Sequence, residues 1–228
     1  MIRPYVLWDF DGTLADTGKD VWASLEYAAR RSGGSLEKDY RAQDAHLADS
    51  MSEIMRHVTP YPGSDHLTDF DDDVRMHYRT LNQFTETRLY QGIRPLLEKL
   101  HAMGVRNIIV TNKPQGALLR ILDNKGWRSL FDGWTCPDSD PDQAMDKNGM
   151  IARTLAANGI TAAQCVYVGD TFSDVLAARA NGVIPIAVTY GDGDTLTLLE
   201  QEPNYVASNV AELQDIITHT VIGARSTI

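Results

Sequence analysis

Four short apolar runs, each breaking off on a polar residue or a glycine, set the tightest limit on what this chain can fold into. Tyr5 to Trp8 runs into Asp9, Asn107 to Val110 into Thr111, Cys165 to Val168 into Gly169 and Asp170, and Ile184 to Thr189 toward Gly191. Runs of this length read as strands buried on both faces. Between them lie helix-period segments, Pro95 to Met103, Gln115 to Lys125, Gly149 to Asn158 and Asp174 to Asn181. Gly104, Gly126, Gly159 and Gly182 follow where helix C-terminal caps are expected. Strands alternating with helices predict right-handed crossovers and a parallel sheet covered on both faces, an α/β fold. Weaker strands are expected within Phe131 to Cys136 and at Tyr205 to Ser208.

The rhythm stops between about Thr17 and Tyr90. That stretch offers helical segments around Val21 to Arg31, Met51 to Val58 and Asp71 to Phe84, without a convincing strand. The expected organisation is a core of residues 1–16 and 91–228 interrupted by a helical insert of residues 17–90. Pro60, Pro62 and Gly63 mark a turn inside the insert rather than its end. The acidic run Asp69, Asp71, Asp72 and Asp73 is read as negative charge at a helix N-terminus, because crowded aspartates do not surround one ion.

Composition narrows the function classes. A formal charge of -10 and a pI near 5.0 disfavour phosphate backbones and anionic bilayers, so neither a nucleic acid nor a membrane is the expected partner. The apolar runs fall far short of the roughly 20 residues that a spanning helix needs. Asp9 and Asp11 interrupt the first run before it could serve as a secretory segment, and a cytoplasmic location is expected. Cys136 and Cys165 fit neither a Cys-x-x-Cys nor a zinc pattern and are expected to be reduced.

Open parallel sheets bind ligands beyond the carboxyl ends of their strands, and polar residues gather at those ends: Asp9 and Asp11, Thr111, then Asp170 and Asp174. Lys147, just before a helix, can bring a positive charge to the same edge. A carboxylate attacking phosphorus must overcome repulsion between anions, which calls for a divalent cation and fixed positive or hydrogen-bonding groups. Hard oxygen ligands suit Mg2+. Asp9 is the candidate nucleophile and Asp11 the candidate acid and base. Gly12 permits the turn that follows, Thr111 offers a hydroxyl to a phosphoryl oxygen, and Lys147 supplies a point charge.

Asp9-Phe10-Asp11-Gly12-Thr13-Leu14 resembles the first motif of the haloacid dehalogenase superfamily, whose phosphatases carry Asp-x-Asp-Gly-Thr. Thr111-Asn112-Lys113-Pro114 resembles its second motif in the phosphoglycolate phosphatase-like branch, and Gly169-Asp170-Thr171-Phe172-Ser173-Asp174 its fourth. The motifs stand in family order and span essentially the whole chain. The resemblance implies a Rossmann-like core with a small helical cap, and a phosphatase acting on a small phosphorylated metabolite such as phosphoglycolate. It implies Asp9 as nucleophile, Asp11 as acid and base, Thr111 and Asn112 as phosphate holders, and Lys147 as the third-motif lysine. Mg2+ would be held by Asp9, the backbone carbonyl of Asp11, and Asp170, with Asp174 acting directly or through water. Lys147 is followed by Asn148 and Gly149 where many relatives have proline, which leaves Lys113 as a rival; in Thr-Asn-Lys branches that lysine is expected to touch substrate or seal the cap.

Asp11 argues against a dehalogenase and against a phosphonate-cleaving relative. A phosphomutase shares the carboxylate pair and stays open, as does a non-catalytic phosphate-dependent regulatory protein. Receiver domains of that second kind are about half as long and lack the insert. His46, in the polar segment Asp44 to Ser50 where relatives place a specificity loop, is a candidate substrate contact. Gly191-Asp192-Gly193-Asp194 lacks the context of a dinucleotide fingerprint and is read as a surface turn. Oligomeric state is not readable from the sequence.

Overall fold

The computed structural model describes residues 4–222; residues 1–3 and 223–228 of the expected core lie outside them. The chain divides into two compact units. One comprises the residues up to Asp16 with those from Arg88 onward, the other Thr17–Thr87.

The first unit is a six-stranded parallel sheet flanked by helices. Its strands are β1 (Tyr5–Trp8), β2 (Arg106–Val110), β3 (Gly133–Thr135), β4 (Cys165–Gly169), β5 (Ile184–Val188) and β6 (Tyr205–Ala207), in the spatial order β6-β5-β4-β1-β2-β3. β1 is central because Val6, Leu7 and Trp8 are all fully buried, and only a strand with neighbours on both sides and helices on both faces hides such a run. In register, Trp8 stands opposite Ile109 of β2 and Val168 of β4. The chain first winds outward from β1 through β2 to β3, then crosses back to begin β4 on the other side. That reversal puts a topological switch point beside the carboxyl end of β1, where an open α/β sheet leaves a crevice.

The expected helices form at Ile93–Ala102, Gln115–Asn124, Lys147–Asn158 and Phe172–Ala180, each within two residues of its sequence-based start. Asp146 caps the third through a hydrogen bond from the Gly149 amide, 2.7 Å, and Gly159 ends it in the left-handed conformation. Two helices, Thr195–Leu199 and Val210–Ile217, were not anticipated. Cys136 and Cys165 are buried and unbridged. Among the described residues no helix is long and apolar enough to cross a membrane.

The second unit has its own core, built from Trp22, Leu25, Ile54, Met55, Phe70 and their neighbours. Its main helices are Gly18–Arg31, Met51–Arg56 and Leu67–Met76. The expectation of a strandless insert needs correction, since Ser35–Leu36 and Val58–Thr59 pair antiparallel, too short to show a period in the sequence. So does the reading of the acidic run. The third helix starts at Leu67, so only Asp69 lies in its first turn. Asp71 pairs with Arg75 at 2.6 Å and Asp73 with Arg31 at 3.3 Å. Buried Asp20 accepts hydrogen bonds from both the amide and the hydroxyl of Thr87, at 2.6 and 2.7 Å, joining the two ends of the unit.

Candidate active site

Asp9 is the first residue past β1, and its amide continues the ladder by donating to the Val168 carbonyl, 2.9 Å. The sheet therefore fixes the backbone that carries this carboxylate. Asp170 and Asp174 follow the adjacent β4, the second of them in the first turn of Phe172–Ala180. One oxygen from each of Asp9, Asp170 and Asp174 lies within 4.8 Å of the others, and all three residues are buried. Lys147, at the start of Lys147–Asn158, places its ammonium 2.9 Å from Asp9 Oδ1 and 2.9 Å from Asp174 Oδ1.

The electrostatics of this group are unbalanced. Three carboxylates cluster here, and the Lys147 ammonium pairs with two of them, Asp9 and Asp174. Burial pushes Asp9 up to about 6, with Lys147 opposing and the charge of Asp174 adding to it. Burial likewise pushes Asp170 up to about 7, helped by Asp9 and Asp174 and resisted by the Thr13 hydroxyl. Burial alone would lower Lys147, but Asp9 and Asp174 outweigh it and hold the ammonium above its ordinary value. Asp9 Oδ1 is buried without a well-directed hydrogen bond, the Lys147 contact notwithstanding. A divalent cation fits: the donors are hard oxygens, three buried carboxylates converge there, and Asp9 Oδ1 lacks a well-directed hydrogen bond.

Asp11 stands apart from the three carboxylates. Its side chain is 39% exposed and pairs with Lys113 Nζ at 2.9 Å. The rival lysines thus have different partners: Lys147 meets Asp9 and Asp174, whereas Lys113, its side chain fully buried, meets Asp11 and lies over the Phe10 ring. Gly12 takes φ +71°, and a Cβ there would fall 2.1 Å from Asp170 Oδ2, so both conformation and space demand glycine. Thr111 is buried at the end of β2, with its hydroxyl oxygen accepting from the Lys113 amide at 3.2 Å; Asn112 beside it is exposed. Asp174 also caps its own helix, accepting from the amide and the hydroxyl of Thr171 at 3.0 and 2.6 Å. His46 belongs to the other unit, where it stacks on Tyr40 and meets Asp49 Oδ2 at 2.9 Å.

Sequence reasoning missed several residues of this site. Thr13 donates its hydroxyl to Asp170 Oδ1 at 2.8 Å, and its place in Asp-Gly-Thr was the available signal. Gly191 to Asp194 is a turn with Asp192 and Asp194 exposed, as expected, but it also reaches the site. The amides of Asp192 and Gly193 donate to Asp170 Oδ2 at 3.2 and 3.0 Å, and a Cβ on Gly191 or Gly193 would lie 2.1 Å from the carbonyl of Gly12 or of Asp170. These glycines let one backbone press against another. Their signal was position, just past the carboxyl end of β5. Tyr167 inside β4 bonds Lys147 and Asp174, and only a lone hydroxyl in an apolar run hinted at it.

A family model described as haloacid dehalogenase-like hydrolase matches residues 6–188. Phosphoglycolate phosphatase from Pseudomonas fluorescens is 29% identical over 220 residues, which span 91% of this chain and 77% of that protein. A 5'-nucleotidase from Pseudomonas aeruginosa is 27% identical over 94% of this chain and 95% of its own. Among solved structures, a haloacid dehalogenase-like hydrolase from Streptococcus pneumoniae superposes with a TM-score of 0.78 at 24% identity, covering 94% of this chain and 98% of that one, a likeness of fold.

Proposed function

Since the chain belongs to the haloacid dehalogenase-like hydrolase family, we propose that it is a Mg2+-dependent phosphatase that hydrolyses a small phosphomonoester through an aspartyl-phosphate on Asp9, with a phosphoglycolate-like ester as the leading substrate. The observation that carries this reading is the buried group of Asp9, Asp170 and Asp174, with Lys147 paired to Asp9 and Asp174 and Asp9 Oδ1 lacking a well-directed hydrogen bond. Mg2+, held by Asp9, Asp170 and the Asp11 carbonyl, with Asp174 acting directly or through water, would supply the charge that lets an anion approach phosphorus.

The chain's own residues account for the rest. Asp9 attacks phosphorus and the bond to the leaving oxygen breaks. Asp11, which retains an exposed side chain, gives that oxygen a proton. It then takes a proton from water, whose oxygen attacks phosphorus; the bond to Asp9 breaks and inorganic phosphate departs. Thr111 and Asn112 hold the phosphoryl oxygens through both displacements, while Lys147 supplies a point charge that restrains Asp9 and Asp174. Lys113 keeps Asp11 oriented by its ion pair. The 5'-nucleotidase relative supports including nucleoside monophosphates among candidate substrates.

The test is phosphate release from a panel of sugar phosphates, nucleoside monophosphates and phosphoglycolate, with Mg2+ or with chelator. The expected result is turnover that needs Mg2+ and falls at least about a thousandfold in Asp9→Asn, which removes the nucleophile at constant size. A folded Asp9→Asn protein with near wild-type turnover overturns the reading. An isomerised sugar phosphate without free phosphate favours a phosphomutase instead.

A further inference from the structure

Tyr167 is the third residue of β4, and its ring lies in the cluster of Leu7, Ile108, Val110, Met150 and Ala178. Packing alone asks only for an apolar side chain there. The residue is fully buried, and a hydroxyl in such surroundings is costly unless bonded. This one has three partners: Lys147 Nζ at 3.1 Å, Asp174 Oδ1 at 3.1 Å and the Val110 carbonyl at 2.9 Å. A phenol carries one proton and accepts at its oxygen, so the Lys147 ammonium donates to it, and its own proton goes to Asp174 or to Val110.

The same count for the ammonium is informative. The ammonium lies close to three oxygens, namely Asp9 Oδ1, Asp174 Oδ1 and the Tyr167 hydroxyl. The contact with Asp9 lacks hydrogen-bond direction, whereas the bond to Tyr167 has it. Charge attraction brings the lysine head close to Asp9, and the phenol fixes how it points. A lysine has a flexible four-carbon stem and three rotatable donors, so it does not hold a direction by itself.

We propose that Tyr167 is a positioning residue for the reaction, its hydroxyl being the third anchor that holds the Lys147 ammonium against Asp9 and Asp174. The inference rests on the phosphatase reading for its kinetic consequence but not for the geometry it invokes. Phenylalanine preserves the ring and removes only the anchor. In Tyr167→Phe the expected kcat falls about tenfold with KM within about twofold, because a misdirected ammonium weakens the displacement more than substrate capture. A purely structural hydroxyl would lower the melting temperature and leave kcat of the folded enzyme alone.

A second readout needs no activity. In protein labelled with 15N-lysine, the Lys147 ammonium, identified by its absence in Lys147→Met, should exchange its protons with water far more slowly than exposed lysines do. In Tyr167→Phe that exchange should quicken at least about fivefold. A folded Tyr167→Phe enzyme with kcat within twofold of wild type overturns the proposal. If the variant does not fold, a wild-type Lys147 ammonium exchanging as fast as exposed lysines overturns it. A wild-type protein inert toward every phosphomonoester overturns the functional reading instead, and the exchange measurement still decides the anchor.

Discussion

The two units share exposed ion pairs but differ in how much charge they bury. In the sheet unit, Asp9, Asp170, Asp174, Lys147 and Lys113 are buried at strand tips or in the segments that follow them. In the unit Thr17–Thr87 most charges pair near solvent: Arg31 with Asp73, Arg41 with Glu26, Arg56 with Glu53 and Arg75 with Asp71. Asp20 is its buried exception, and Thr87 satisfies it with two hydrogen bonds. Architecture explains the contrast. Parallel strands buried on both faces deliver their tips to one sheltered edge, so polar residues there lose water together. Amphipathic helices around a small core keep half their surface wet and leave charges where they cost little. Chemistry that needs shifted carboxylates belongs to the first arrangement.

If that contrast is correct, its largest consequence is at Lys147. Lys147→Met removes the ammonium that pairs with Asp9 and Asp174 within the group of three buried carboxylates. Turnover is expected to fall about a thousandfold, about 4 kcal/mol of barrier. The folded state in chelator should also lose about 3–5 kcal/mol, since unpaired buried charge is what such a deletion leaves. Steady-state kinetics and urea unfolding with and without Mg2+ check both. A loss of turnover under fivefold, beside a severe Lys113→Ala defect, would move the central lysine to Asp11's partner and break the comparison.

A middle-sized effect sharpens the claim that each unit has its own core. Ile54 is fully buried in the cluster around Trp22 and Phe70. Ile54→Ala should cost about 2–4 kcal/mol through lost transfer energy and the cavity left behind. Hydrogen exchange read by peptide mass should show weakened protection across residues 17–87, with β1, β2 and β4 unchanged. Equal loss of protection in those strands would mean that the units unfold as one.

The legibility of the sequence follows the same division. The sheet could be read because a strand buried on both faces must be an uninterrupted apolar run, as in Val6-Leu7-Trp8, and because Asp9, Thr111 and Asp170 break those runs where the strands end. Lys147 was read from its place just before a helix near the strand ends, and the resemblance added its role as the third-motif lysine. The contacts that could not be read join residues far apart in the chain. Thr13 reaches Asp170, the loop Gly191 to Gly193 clasps it from the end of β5, and Tyr167 reaches Lys147. In the insert, the pairing of Ser35–Leu36 with Val58–Thr59 involves two residues a side, below the length at which alternation exists. Asp71 to Asp73 were misjudged because charge alone does not say on which turn a helix begins.

The smallest expected effect tests the surface half of the contrast. Asp73 lies on the helix Leu67–Met76, and Arg31 Nε approaches both of its oxygens at 3.3 Å. The Arg31 side chain is 59% exposed, so ordering it costs entropy and water screens the pair. Asp73→Asn should therefore change stability by no more than about 0.5 kcal/mol in urea unfolding, with the difference shrinking as salt is added. Turnover should be unaffected. A loss above about 1.5 kcal/mol that persists in 1 M salt would show an insert charge behaving like those at the strand tips, and burial at the sheet edge would no longer be what separates the two units.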